Sequence, residues 1–310
     1  MPLRAMPLRR LAALLAVLLM GCAPVPDASL DQLERFALVT RGQADRSFGM
    51  GSGLPLPVGT SRDLFVDLFE VSRDEFERWM GTQPQPRGLS SQAALSDTSH
   101  GAWPAYCDLF EARELASRRG MRLLTVGEWL YVAGGPVAQR YPWGRVFQSS
   151  LANTLELGLL RPVPVGTFEN GRSPFGCYDM LGNVAEWVEG RAPNALESTV
   201  RAENASLGTV MGGSFLSRVR PLYELNREIG ITYPAESLSP GTRSIALGVR
   251  CAVDAREFLR KNAGAWAGQR DRVRLVGERL GLPAVPMLEE LLREPGSPTA
   301  IRWLLEGARR

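Results

Sequence analysis

Four cysteines, Cys22, Cys107, Cys177 and Cys251, and a single histidine, His100, are the residues whose chemistry narrows this sequence most. One histidine makes a two- or three-histidine facial iron site impossible within one subunit. A serine-histidine-acid triad needs a base, and His100 stands in the polar, irregular stretch Gln83–Gly101, where an imidazole reads as a solvated side chain. The run Gly49–Gly53 suggests a phosphate-binding loop by composition only. Ser217, Arg218, Arg220, Glu224 and Arg227 gather hydroxyl, guanidinium and carboxylate groups in one short stretch. Arginine beside carboxylate is, to first order, a structural ion pair.

The amino end carries a different kind of chemistry. Arg9 and Arg10 precede the apolar run Leu11–Met20, which is too short to span a bilayer as a permanent helix and reads as a targeting signal. It ends in Leu19-Met20-Gly21-Cys22, which resembles the lipobox of bacterial lipoproteins. That resemblance implies cleavage after Gly21, diacylation of Cys22 and a mature chain that starts there. Ala23 after the cysteine implies release to the outer membrane. Pro24 and Pro26 make a short, stiff tether, and two or three acyl chains give firm anchoring where one would be marginal. With Cys22 used by lipid, three thiols remain in a compartment that permits disulfides.

The elements that must position these residues follow from composition and pattern. The chain has 310 residues, 45% hydrophobic and 22% charged, which sets a globular protein of one large domain or two ordinary ones. The net charge of +3 equals the three arginines of the first 21 residues, so the rest is neutral, which argues against nucleic-acid binding by counterion release. With 32 glycines, 22 prolines and 7 tryptophans, many turns must rest on special backbone positions. Strands are expected at Phe36–Thr40 and Leu64–Glu70. Ser72 with Glu75, and Thr125 with Glu128, form capping boxes that open helices closing at Gly81 and at Gly134-Gly135. A longer helix is expected over Pro104–Arg119, with Tyr106, Cys107, Phe110, Ala112 and Leu115 on its apolar face. Short strands and turns continue to Asp254. Helical patterns then return at 255–260, 270–280, 287–293 and 300–306, forming an appendage that either covers apolar surface of the main domain or docks a partner.

Nine segments stand in the order seen in the formylglycine-generating enzyme (sulfatase-modifying factor) family. They are Glu70–Ser72, Ala105–Cys107, Arg122–Trp129, Tyr141–Gly144, Ala152–Thr154, Val165–Phe168, Gly182–Trp187, Gly212–Phe215 and Gly248–Cys251. Residues 36–254 therefore resemble that family, which implies a loop-rich, C-type-lectin-like α+β fold. The division is then a signal peptide (1–21), a lipidated tether (22–35), the enzyme-like domain (36–254) and a helical extension (255–310).

The resemblance carries further expectations. It implies a disulfide between Cys107 and Cys251, leaving Cys177 as a buried thiol. It implies a calcium site with carboxylate oxygens from Asp179 and Glu186 and backbone carbonyls from Gly182 and Val184. Active members hold copper(I) between two thiolates, a soft-ligand pair suited to that ion. At those positions this chain has Ser217 and Leu222, so copper is not expected. The expected function is a non-catalytic envelope lipoprotein that binds an envelope protein, peptide or glycan in the cleft around Ser214, Ser217, Arg218, Arg220 and Arg227. The alternative is an enzyme of the same family with altered active-site chemistry, and a third reading gives an assembly role to the helical tail. The expected partners are a membrane, through lipid on Cys22, and no nucleic acid.

Overall fold

Phe36 to Val39 form β1, which pairs antiparallel with β4 (Leu64–Asp67) in the register Phe36 to Asp67 and Val39 to Leu64. The computed structural model describes residues 28–44, 58–82, 101–190, 207–219 and 233–310. Before β1 lies α1 (Ala28–Glu34), and between β1 and β4 stand β2 (Gly42–Gln43) and β3 (Gly59–Thr60), a two-stranded pair. Next come α2 (Arg73–Met80), α3 (Leu109–Arg118), β5 (Arg122–Leu123) and α4 (Val126–Gly134). Then follow β6 (Ala185–Val188), β7 (Gly208–Met211), β8 (Ala235–Leu238), β9 (Leu247–Val249) and β10 (Cys251–Asp254). One four-stranded sheet has the order β1-β4-β10-β5 and the other β8-β7-β6-β9, with β6 and β9 parallel. The long stretch between α4 and β6 is mostly turns, as the glycine and proline content requires.

The caps decide where the helices start. Thr125 and Glu128 form the full reciprocal box at the head of α4. At α2 only the serine half forms: Ser72 Oγ accepts from Glu75 N at 3.3 Å, while the Glu75 carboxylate turns to Arg119, 3.0 Å away. The long helix begins at Leu109 rather than Pro104, because Asp108 and Glu111 cap it there and residues 104–107 run extended beside Val71 and Ser72. With that shift Phe110 leaves the buried face and is 62% exposed, whereas Ala112 and Leu115 stay buried.

The carboxyl-terminal helices are α5 (Ala255–Asn262), α6 (Arg270–Leu280), α7 (Val285–Leu292) and α8 (Thr299–Ala308). They share one core with the first sheet. Phe258 of α5 stands edge-on to Phe36 and Phe65, with ring centroids 5.3 and 5.8 Å apart, and Trp266 follows at 6.4 Å. Leu288, Ile301 and Leu304 belong to the same buried cluster as Phe36 and Cys107. The appendage thus packs in cis on the sheet, where burial of its apolar face supplies the stabilisation that short helices lack alone. Among the described residues no helix is long and apolar enough to cross a membrane.

Candidate functional site

Six polar side chains from five of the nine sequence segments meet between the two sheets. Glu186 of β6 is buried and accepts from Trp129 Nε1 at 2.7 Å, from Arg250 Nε at 3.0 Å and from Arg250 Nη2 at 2.7 Å. Arg250 spends its other donors on the carbonyls of Asp67, at 2.8 Å, and Tyr178, at 2.7 Å. Glu70 accepts from Val184 N at 3.0 Å and from Asn183 Nδ2 at 2.6 Å. Asn183 in turn accepts from Asn153 Nδ2 at 3.1 Å, which ties the turn at 182–184 to the loop at 153. Gly182 and Asn183 hold this turn with φ of 84° and 59°, and a Cβ at Gly182 would collide with the Asn153 carbonyl.

Asp179 lies at the edge of this cluster with φ of 54°, a left-handed position that aspartate tolerates better than most residues. Its Oδ2 accepts from Gly166 N at 2.9 Å, while Oδ1 is buried without a partner. Burial lifts the Asp179 carboxyl to about 6, against the pull of the Gly166 amide and Arg250. Burial, and then the neighbouring Asp179 and Glu186, hold the Glu70 carboxyl well above the usual range.

This geometry takes Glu186 out of the expected calcium ligands. Both Glu186 oxygens are committed to Trp129 and Arg250, so Glu186 is the counter-ion of a buried guanidinium rather than a metal ligand. Of the four expected ligands this leaves one open Asp179 oxygen and the carbonyls of Gly182 and Val184, fewer than the six to eight oxygens calcium takes, although Asn153 Oδ1 and Thr154 Oγ1 beside the turn are also buried without a partner. The four expected residues do not by themselves make a calcium shell. Among the described residues no group of three or more His, Cys, Asp or Glu is placed to hold a metal ion.

Ser214 and Ser217, of the expected cleft, are hydrogen-bonded to each other within one turn. Ser217 Oγ accepts from Ser214 N at 2.9 Å, Ser214 Oγ accepts from Leu216 N at 3.2 Å, and Ser217 N donates to Ser214 O at 2.9 Å. Ser217 O receives Leu155 N at 3.0 Å, which pins the 155–160 loop beside it. Leu216 and, in that loop, Leu160 are 54% and 60% exposed. Arg218 is exposed. Arg220, Leu222, Glu224, Arg227, His100 and Cys22 lie outside the described residues.

In this structure Cys107, Cys177 and Cys251 are free, buried thiols, so the expected Cys107–Cys251 bridge is not formed in it. Cys107 N donates to Leu247 O and its carbonyl is fixed by Trp187 Nε1 at 2.9 Å, whereas Cys251 N is held by Asp67 Oδ2 at 2.9 Å. The two thiols are close enough for Cys251 to act on Cys107 electrostatically, and no S–S bond joins them. Burial pushes the thiols of Cys177 and Cys251 up to about 12, and Cys107 is raised well above its ordinary value by burial and Glu111. None of them is a thiolate near neutral pH.

These features define a class: an α+β domain with little regular structure, knit by a buried carboxylate–guanidinium–indole cluster. The sulfatase-modifying factor enzyme 1-like domain matches residues 25–255, and the chain belongs to that family. The inactive C-alpha-formylglycine-generating enzyme 2 of Bos taurus is 32% identical over 191 residues, which are 58% of this chain and 58% of that one. Hercynine oxygenase of Mycolicibacterium smegmatis is 42% identical over 83 residues, 26% of this chain and 19% of that one. The chain thus spans well under two thirds of either relative's length. The crystal structure of CarF superposes with a TM-score of 0.50 at 17% identity, over 71% of this chain and 97% of that one, and supports the same fold.

Proposed function

We propose that this protein is a non-catalytic envelope lipoprotein, anchored through lipid on Cys22, whose family domain is a binding module for an envelope protein, peptide or glycan. The observation that carries this reading is Ser217. It occupies the first of the two positions where active family members place a copper-binding thiol, and Leu222 occupies the second. A hydroxyl that already accepts from Ser214 N, and an isobutyl group, cannot act as a dithiolate. Similarity to a relative named inactive agrees with the loss. The exposed Leu216 and Leu160 flank the turn and offer apolar contact area on a rigid support, the arrangement through which loops recognise partners.

The test has two arms. The chain from residue 23 is titrated with copper(I) against a competing chelator and incubated aerobically with a cysteine-containing sulfatase peptide. No aldehyde is expected, and stoichiometric copper with aldehyde formation sinks the reading in favour of an enzyme. In the second arm, Ser217→Ala and Ser217→Trp are compared for envelope proteins crosslinked in cells. The alanine variant is expected to keep its partners and the tryptophan variant to lose them; equal, full binding by both removes the cleft from consideration.

A further inference from the structure

The helical extension holds a second site, built by two glycines. A Cβ on Gly277 would collide with the Leu304 carbonyl, and one on Gly307 with the Arg274 carbonyl. The backbones of α6 and α8 therefore touch as they pass in opposite directions, which only residues without a side chain permit. Side chains flanking this crossing converge. Arg270 and Arg274 from α6, with Arg302, Arg309 and Arg310 from α8 and the residues after it, line a cleft of about 570 Å³ in which Glu306 is the one acid. Glu306 lies 3.5 Å from Arg270 and 3.9 Å from Arg274. Arg309 pairs with Glu289, and Arg310 stands 3.6 Å from Glu278. Arg302 is exposed and makes no ion pair among the described residues, and Arg274 Nε is buried without a hydrogen-bond partner.

This concentration of charge is not general to the molecule. Another cleft, of about 450 Å³ at the edge of β5 and β10, sets Arg62 and Arg122 against Glu128, Asp254 and Glu257, so acids outnumber bases there. Residues 255–310 hold eleven arginines and lysines against seven acids, while residues 22–254 carry four more acids than bases. Part of the tail's positive charge is spent holding it to the domain, since Arg272 pairs with Asp31 and Glu34 of α1. Within the cleft five arginines face one acid, and Arg302 is the one that makes no ion pair among the described residues.

The path of the chain says what this cleft faces. Trp266 Nε1 donates to Ser29 Oγ at 3.0 Å, and Arg272 stands 2.5 Å from Asp31. The start of α1 thus sits beside the start of α6, where Arg270 is. Five residues lie between Cys22 and Ala28, six backbone steps with a reach of roughly 20 Å at full extension. We propose that the arginine cleft between α6 and α8 docks the domain onto an anionic phospholipid surface and so orients the tethered domain on its membrane. This inference rests on lipidation of Cys22. Guanidinium groups pair bidentately with phosphate, and a basic patch beside a lipid anchor is a two-signal attachment.

The test needs no anchor. The chain from residue 23, checked for a cooperative melt, is sedimented with vesicles of phosphatidylcholine alone and of phosphatidylcholine mixed with phosphatidylglycerol. Binding is expected only to the mixed vesicles and is expected to weaken as salt is added. The pair Arg302→Glu and Arg309→Glu should lower the partition coefficient by about tenfold or more, and Arg145→Glu, on the other part of the fold, should not. Equal binding to both vesicles, or no effect of the charge reversals, overturns the proposal. Capture of soluble polyglutamate in preference to vesicles also overturns it, in favour of an acidic protein partner. The anchor is read separately, by the mass of the full chain expressed in a bacterium with Cys22 or Cys22→Ser: absence of lipid sinks the anchor while the vesicle result stands on its own.

Discussion

The guanidinium of Arg250 and the carboxylate of Glu186 are sealed together inside the domain, with Nη2 2.7 Å from Oε1 and both side chains essentially free of solvent contact. Burial alone pulls the guanidinium down, and Glu186 more than offsets it, so Arg250 stays charged. Removing one partner leaves the other charge buried and unpaired. Arg250→Met is therefore expected to destabilise the domain by about 3–5 kcal/mol in chemical denaturation. Adding Glu186→Gln to it should recover part of that loss, because the glutamine still accepts from Trp129 and no charge is stranded. Strictly additive losses would show that the two residues do not act as a pair.

Asp179 gives the domain a pH dependence of unusual sign. Its carboxyl is lifted to about 6 by burial, above the unfolded value near 4, so the folded state binds the extra proton between those values. Stability contributed by this group is complete below the unfolded value and is lost as pH rises through about 6. Asp179→Asn keeps an acceptor for Gly166 N and tolerates the left-handed backbone. It is expected to raise stability by roughly 2–3 kcal/mol at pH 8 and to give little advantage at pH 4. An advantage independent of pH would assign the effect to something other than titration.

Because Glu186 is engaged by Arg250 and Trp129, chelation carries its own expectation. The melting temperature of the domain should be unchanged between excess chelator and added calcium. A rise with calcium, which follows from binding to the folded state alone, would restore Asp179 as a ligand.

Phe258 joins the extension to the family domain, standing edge-on to Phe36 and Phe65. Phe258→Ala should cost about 3–5 kcal/mol, and the loss should appear in one transition because the core is continuous. Two separate transitions would show instead that the extension unfolds by itself.

Much of this architecture was legible in the sequence because local chemistry decides it. Thr125 with Glu128, and Gly81 after Met80, act over three or four residues, so their helices end where the pattern places them. The start of α3 was not legible in the same way, because apolar residues at 104–107 suit a helix as well as the extended run beside Val71 that tertiary pairing selects. At the site, the motifs marked Glu186 and Asp179 but not what Glu186 touches. Arg250 lies 64 residues further on, and only the fold brings its guanidinium to that carboxylate. The signal was present as two motif segments, Gly182–Trp187 and Gly248–Cys251, read apart rather than as partners. The arginine cleft was hidden for a similar reason, since its charges are spread over two helices and converge only where Gly277 and Gly307 let those helices touch.

The thiols provide the last test, and it bears on the compartment as well as the fold. Cys107 and Cys251 are both fully buried, and no S–S bond joins them. Burial disfavours the thiolate at each, and exchange chemistry requires the thiolate. The folded chain from residue 23 is therefore expected to be inert to an aqueous thiol reagent at neutral pH and to release three reactive thiols, Cys107, Cys177 and Cys251, once unfolded. Labelling that accelerates only as the protein melts would tie reactivity to exposure. A count of one thiol in the unfolded, unreduced chain would instead show that two of the three had been oxidised to a disulfide. The Cys107→Ala and Cys251→Ala variants would then identify the pair, because removing a bridged cysteine frees its partner and raises the count from one to two.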